Sequence, residues 1–184
     1  MIKALQLHSD RLRYRFLEAA DLDAVHELHS LPETDRYNTL GIPKDKSETR
    51  EVMSRFMMGD KDGLKNLTFV VELLEDISFV GLIALQMGVP KYKNAEVWFK
   101  LHKKHWGRGY ATEALKFVIN FGFQRLQLHR IEAGCAVGNS ASQRVMEKCG
   151  LTNEGRKREN LPLKEGWSDG LEFAILDTDK SNHS

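Results

Sequence analysis

The sequence predicts a mixed α/β (α+β) fold, with a mixed sheet carrying helices on its faces. Two observations carry that prediction. Three β-rich runs, near residues 67–75, 78–87 and 94–102, follow one another with no helical period between them, as in an antiparallel meander. Beyond them helical and strand-like segments alternate, so the order is neither all-helical nor the plain βα repeat of a doubly wound sheet. At 184 residues one domain is expected, over residues 1–178, with a frayed tail at 179–184.

The elements follow in order. Polar and apolar residues alternate from Arg11 to Phe16, the mark of a half-buried strand within residues 9–17. Ala20, Ala24, Val25 and Leu28 then recur at helical spacing up to Pro32. Residues 31–43 are aperiodic and read as a loop. A second helix opens at Ser47, a candidate cap, with Val52, Met53, Phe56 and Met57 on its inner face and Gly59 at its end. After the meander come a helix from Tyr110 to Leu126, a strand near 129–137, a helix near 140–149 and two strands near 151–160 and 170–177. Leu115, Phe117, Val118, Ile119, Phe121 and Phe123 make the first of these two helices a core element.

Composition narrows the function. An apolar share of 41% suffices for a packed core, and 27 Lys+Arg against 26 Asp+Glu leave a net charge of +1. That balance gives no global field to hold nucleic acid or a membrane surface, so any phosphate recognition must be local. Cys135 and Cys149 lack CxxC spacing, which argues against a disulfide framework or a zinc knuckle and fits a reducing cytoplasm. Cys135, in register with Ile131, Ala133 and Val137, reads as a buried thiol. No signal-peptide-like apolar stretch stands near the start. The longest charge-free stretch, residues 77–90, contains Gly81, Gly88 and Pro90 and is too short to span a bilayer. His26 and His29 lack a third ligand, so no metal site is expected.

The most informative segment runs from Phe99 through Lys100, Leu101, Lys103, Lys104, Trp106, Gly107, Arg108 and Gly109 into Tyr110, Ala111 and Thr112. It passes from a strand through a basic turn into a helix. Two glycines allow close backbone approach, and the helix start offers unpaired amides at the positive end of its dipole, which suits a phosphate or pyrophosphate. Lys100, Lys103, Lys104 and Arg108 concentrate positive charge there. The third glycine of GxGxxG is missing and no GK[ST] follows, so NAD and ATP loops are disfavoured.

Lys104-x-x-Gly107-x-Gly109 resembles the (Gln/Arg)-x-x-Gly-x-(Gly/Ala) signature of the GNAT superfamily, and residues 139–151 resemble that superfamily's second cofactor helix. Residues 9–15, 95–101, 106–115, 128–133 and 167–169 are similar, in one order, to stretches of the RimJ/RimL-like N-acetyltransferases. The resemblance implies the GNAT fold, a central mixed, mostly antiparallel twisted sheet with helices on both faces. It also implies acetyl-coenzyme A as cosubstrate. Residues 107–112 would supply amides and the Thr112 hydroxyl to the pyrophosphate, Phe99 and Leu101 would pair with the pantetheine arm, and Asn139 and Ser142 would sit beside the pantetheine and the sulfur.

The chain departs from the family at two points. Lys104 replaces Gln or Arg and loses the planar fork that grips two oxygens. Met146 stands where many members carry a Tyr acid, leaving Ser142 as the nearest replacement. Glu96 matches a family glutamate that draws the amine proton through water, and it shares a strand face with Trp98. Glu159 and Asp169 are weaker candidates, read mainly as surface charges of a hairpin.

The implied activity is acetyl transfer to a primary amine. An α-amine with a pKa near 7.8 is about a quarter neutral at pH 7.4 and a lysine amine about 0.1%, a difference of about 3–4 kcal/mol. A protein N-terminus, ribosomal by resemblance, is therefore the first expectation. A small-molecule amine is the second, and a non-catalytic acyl-coenzyme A-binding module is the rival. The acceptor pocket is expected from residues 31–46 and 160–170, in a monomer or homodimer.

Overall fold

A computed structural model describes residues 7–57 and 66–182. The alternation at the start of the chain forms β1 (Leu7–His8) and β2 (Leu12–Phe16), and α1 (Leu22–Ser30) follows a 3-10 turn at Ala19–Asp21. Residues 31–43 are not wholly irregular, because Pro32 starts a single helical turn, α2 (Pro32–Asp35). The next helix, α3 (Lys46–Met57), is capped by Asp45 and not by Ser47: Asp45 Oδ1 accepts the amides of Ser47 at 2.8 Å and Glu48 at 3.0 Å. Met53 is fully buried on its inner face, whereas Met57 is exposed. The stop expected at Gly59 lies outside the described residues.

The meander is β3 (Asn66–Leu73), β4 (Phe79–Met87) and β5 (Asn94–Leu101); then come α4 (Tyr110–Arg125), β6 (Arg130–Ala136), α5 (Ser140–Lys148), β7 (Thr152–Leu163) and β8 (Gly166–Leu176). The final hairpin is longer at its tip than expected: β7 continues to Leu163 and β8 already starts at Gly166. Most of β7 is exposed on both faces, so no apolar alternation marked its length in the sequence. Of the tail expected to fray from Asp179, residues 179–182 belong to a 3-10 helix, Asp177–Asn182, where Asp179 Oδ2 accepts the Leu176 amide at 2.9 Å, and the last two residues lie outside the described residues. Val137 falls beyond β6 and is exposed, so the inward row ends at Cys135.

The eight strands form one sheet in the order β1-β2-β3-β4-β5-β6-β8-β7. Every neighbouring pair is antiparallel except β5 and β6. One core lies beneath α4 and α5, where Leu115, Val118, Phe121 and Met146 meet Phe69, Ile83, Val97, Ile131 and Phe173. A second core on the opposite face joins Val25, Leu28 and Met53 to Val70 and Leu82. Neighbouring residues of β3 and β4 thus enter different cores, which explains why these strands are apolar on both faces. Arg15 ties β2 to the start of α1, meeting Asp21 at 2.6 and 2.8 Å and Glu72 at 2.9 Å. Tyr14 stacks on Phe117 with centroids 3.9 Å apart, fixing α4 over the sheet edge.

Candidate active site

The site forms where the sheet splits. β5 pairs with β6 only from Asn94↔Arg130 to Glu96↔Glu132, while β6 continues with β8 as far as Ala136↔Gly170. Beyond Glu96 the two strands diverge, and the β5 backbone faces a wedge. A wedge of this kind accepts an extended ligand arm as an added strand.

The turn between β5 and α4 closes one end of the wedge. Gly107 and Gly109 have φ of +75° and +81°, and Gly109 is the N-cap of α4 without a side-chain cap. A Cβ at Gly107 would meet nothing within 4 Å, so the approach to the backbone is open. The amides of the first turn of α4 therefore face an accessible surface at the positive end of the helix dipole.

Arg11, which the sequence reading passed over, holds this turn in place. Its Nη1 donates to the Arg108 carbonyl at 3.1 Å, its Nε and Nη2 meet Glu113 Oε2 at 2.8 and 2.7 Å, and its guanidinium lies 4.6 Å from the Tyr110 ring centroid. Glu113 Oε1 also accepts from Ser9 Oγ at 2.7 Å and from the Arg11 amide at 2.8 Å. Burial raises the pKa of Glu113, but the Ser9 and Arg11 hydrogen bonds outweigh it and hold the carboxyl below its ordinary range.

A cavity of about 570 Å³ fills the wedge. Its lining includes Phe99 and Leu101 from β5, Trp106, Gly107 and Gly109 from the turn, and Tyr110, Ala111 and Thr112 from α4. Asn139 and Ser142 complete the expected set from α5. Asn139 Oδ1 accepts the Ser142 amide at 3.1 Å, so this Asn caps the helix. The Trp106 indole donates to the Leu101 carbonyl at 2.8 Å, bracing the end of β5. Open amides, glycine turn and exposed strand edge fit a phosphate-bearing cosubstrate with an extended arm.

The expected basic cluster does not assemble. Lys100 points to the opposite sheet face from Phe99 and Leu101 and is buried, bordering the cavity from that side; Lys103 bonds Glu33 at 2.6 Å; Lys104 and Arg108 lie outside the cavity lining. Adjacent residues on a strand point to opposite faces, so a count along the chain overstated the local charge. Arg144 and Lys148 of α5 supply lining cations instead. Their i, i+4 spacing on a helix was the available signal.

Among proton-transfer candidates, Glu96 lies on the sheet face shared with Trp98 and lines neither the wedge cavity nor the second one described below. Burial and the neighbouring carboxylates of Glu172 and Glu132 push its pKa above the ordinary range, with Lys157 opposing. Met146 is buried core. Asp169 pairs with Arg156 and accepts the Glu159 amide at 2.8 Å, a hairpin brace. Burial pushes both cysteine thiols up to about 11, as befits unreactive groups. His26 Nδ1 bonds Thr49 Oγ1 at 2.7 Å, and among the described residues no cluster suits a metal ion.

Tyr37, after α2, also lines the wedge; its ring lies against Gly138, where an added Cβ would stand 3.2 Å from Cε1. A second cavity, about 460 Å³, lies between Asn38, Leu40 and Ile42 on one side and Pro162, Leu163 and Lys164 on the other. These are the two segments from which the acceptor pocket was expected, and Asn38 borders both cavities.

The splayed parallel pair, with a glycine turn and an uncapped helix start at its mouth, is the arrangement that the resemblance to the GNAT superfamily implies for an acyl-coenzyme A-dependent transferase. The chain belongs to the GNAT acetyltransferase family: residues 11–152 match the family's domain model, Acetyltransferase (GNAT) domain. An uncharacterized N-acetyltransferase, p20, of Bacillus licheniformis is 28% identical over 170 residues, covering 92% of this chain and 95% of its own. The ribosomal-protein-serine acetyltransferase of Escherichia coli is 26% identical over 173 residues, covering 88% and 95%. Among solved structures, a GNAT-family acetyltransferase from Bacillus anthracis superposes with a TM-score of 0.81 at 31% identity, covering 95% of this chain and 99% of its own. The spermidine N-acetyltransferase from Vibrio cholerae, solved with CoA and spermine, gives a TM-score of 0.83 at 25% identity, covering 95% and 100%. The chain is thus an acetyl-coenzyme A-dependent N-acetyltransferase, and no helix among the described residues is long and apolar enough to cross a membrane.

Proposed function

We propose that the acceptor is the α-amine of a protein or peptide N-terminus. The observation that carries this reading is the second cavity, which shares Asn38 with the cofactor wedge and lies between residues 38–42 and 162–164, room suited to an extended chain. An α-amine also asks least of the site. It is already about a quarter neutral near pH 7.4, and no tyrosine acid occupies position 146.

In this reading the amine nitrogen attacks the thioester carbonyl, the carbon–sulfur bond breaks and the thiolate leaves. The amides of residues 107–112 hold the cosubstrate's phosphates, with Arg144 and Lys148 adding charge. Phe99 and Leu101 align its arm, and Asn139 and Ser142 stand near the sulfur, where the Ser142 hydroxyl can return a proton. Glu96, above its ordinary range, takes the amine proton through water, and Trp98 shields it. A small-molecule amine is the second reading, favoured by the spermidine acetyltransferase among the structural neighbours.

A mass-spectrometric screen of N-terminal peptides and small amines for a gain of about 42 Da, the mass of an acetyl group replacing hydrogen, tests the acceptor. Glu96→Gln tests the base: the chemical step slows by about 10²–10⁴, with the Michaelis constant for acetyl-coenzyme A little changed, and the loss shrinks at high pH. Activity within about threefold of wild type across pH 6.5–9 refutes the assignment.

A further inference from the structure

Three buried side chains near α1, α2 and β5 each carry a polar atom without a hydrogen-bond partner: His29 Nε2, Asp35 Oδ1 and Lys100 Nζ. Their residues are 3%, 5% and 7% exposed. Burying an ion without a hydrogen bond costs several kcal/mol, so where such an atom borders a cavity a bound ligand can supply the missing partner.

Their placement is specific. Lys100 borders the cofactor cavity, Asp35 borders the second cavity, Asn38 borders both, and the two charges lie near enough for Asp35 to act on Lys100. Burial brings Lys100 down to about 8, opposed by the charge of Asp35. Burial first, and then Lys100, pushes His29 down to about 4, which leaves its ring neutral at pH 7. The remaining pair is an ammonium that can only donate and a carboxylate oxygen that can only accept. A ligand that satisfies both offers an acceptor toward the cofactor cavity and a donor toward the second. A peptide group offers both. A polyamine offers donors alone, and its charges are repelled by Lys100.

We propose that Lys100 and Asp35 read the first peptide group of a peptidyl acceptor, Lys100 Nζ donating to its carbonyl oxygen and Asp35 Oδ1 accepting from the amide N–H that follows. The assignment rests on the α-amine reading above and names the groups that enforce it. Both are specificity-determining residues. Neither is assigned a part in moving the acetyl group.

The test compares Ala-Ala amide, its isostere with the first carbonyl replaced by CH(CF₃), which removes the acceptor and leaves the following nitrogen uncharged, and spermidine as acceptors for the wild type, Lys100→Met and Asp35→Asn. Calorimetric binding of the two dipeptides to the coenzyme A-saturated protein is measured alongside kcat/KM. In the wild type, replacing the carbonyl weakens binding and kcat/KM by about 10- to 100-fold, the scale of one charged hydrogen bond. Lys100→Met weakens the natural dipeptide by the same factor, mainly through KM, while levelling it with the isostere; coenzyme A affinity stays unchanged in Asp35→Asn, whose residue does not border the cofactor cavity. Spermidine gains or holds its rate in Lys100→Met. Equal binding of dipeptide and isostere by the wild type overturns the proposal without any variant having to fold. Acetylation of the dipeptide that both variants leave within twofold overturns the pair and spares the α-amine reading. Acetylation of spermidine but not of the dipeptide by the wild type overturns both.

Discussion

Replacing Arg11 by Met removes the clasp on the phosphate turn while keeping a side chain of similar length. Three contacts vanish: the 2.8 Å and 2.7 Å contacts to Glu113 and the 3.1 Å bond to the Arg108 carbonyl, together with the stacking over Tyr110. A fully shielded charged hydrogen bond contributes about 1.5–3 kcal/mol and an exposed ion pair about 0.2–1. The Arg11 side chain is 50% exposed and that of Glu113 14%, so the pair falls between those limits, and a total loss of about 1–2 kcal/mol is expected. For a chain of this size that lowers Tm by about 2–8 °C. The functional effect is separate: with the Arg108 carbonyl released, the amides of residues 107–109 must be reordered on binding, which weakens coenzyme A by about 1 kcal/mol, or about fivefold. Thermal unfolding and calorimetry with coenzyme A measure the two effects, and a double-mutant cycle with Glu113→Gln isolates the coupling. Unchanged Tm and coenzyme A affinity within twofold of wild type would refute the idea that the N-terminal strand positions the turn.

Gly109→Val abolishes coenzyme A binding while leaving a folded chain, because a β-branched residue at φ +81° is strained and crowds the phosphate approach; near-native affinity by calorimetry would remove the turn from the site. Arg144→Ala and Lys148→Ala each weaken coenzyme A in low salt and lose that effect as salt rises, whereas Lys103→Ala, which only frees Glu33, leaves affinity unchanged; a reversed order would restore the basic turn as the charge source. Acid lability follows from His29. Its folded pKa of about 4 lies below the ordinary 6.5, so the stability it contributes is present above pH 6.5 and is lost as pH falls toward 4, by about 3 kcal/mol. Urea unfolding at pH 7 and pH 4.5 reads that loss, and His29→Phe should flatten it.

Local pattern was enough to place most elements of the fold. Alternation in residues 11–16, the helical stripe around Leu115 to Phe121, and the glycine turn before Tyr110 are set by short-range geometry, which the sequence records directly. The same reasoning singled out Gly107 and Gly109, because a helix start and a tight turn have their own residue chemistry, whereas Asn139 and Ser142 came from the resemblance to the family. Where both faces of a segment meet water, as in β7, no period is written and the strand ends could not be read.

Tertiary structure decided what depends on facing directions and on contacts distant in sequence. Lys100 belongs by sequence to a basic run, yet strand alternation turns it away from the phosphates and into a buried position toward Asp35 and His29. Arg11 and Glu113 are about a hundred residues apart, and only the packing of β2 against α4 brings them together. The wedge itself is a property of the sheet: the β5–β6 pairing stops at Glu96 while β6 continues beside β8, and no residue in β5 announces that divergence. Sequence records what each residue prefers over a few neighbours; which preferences meet across a sheet is settled only when the chain closes on itself.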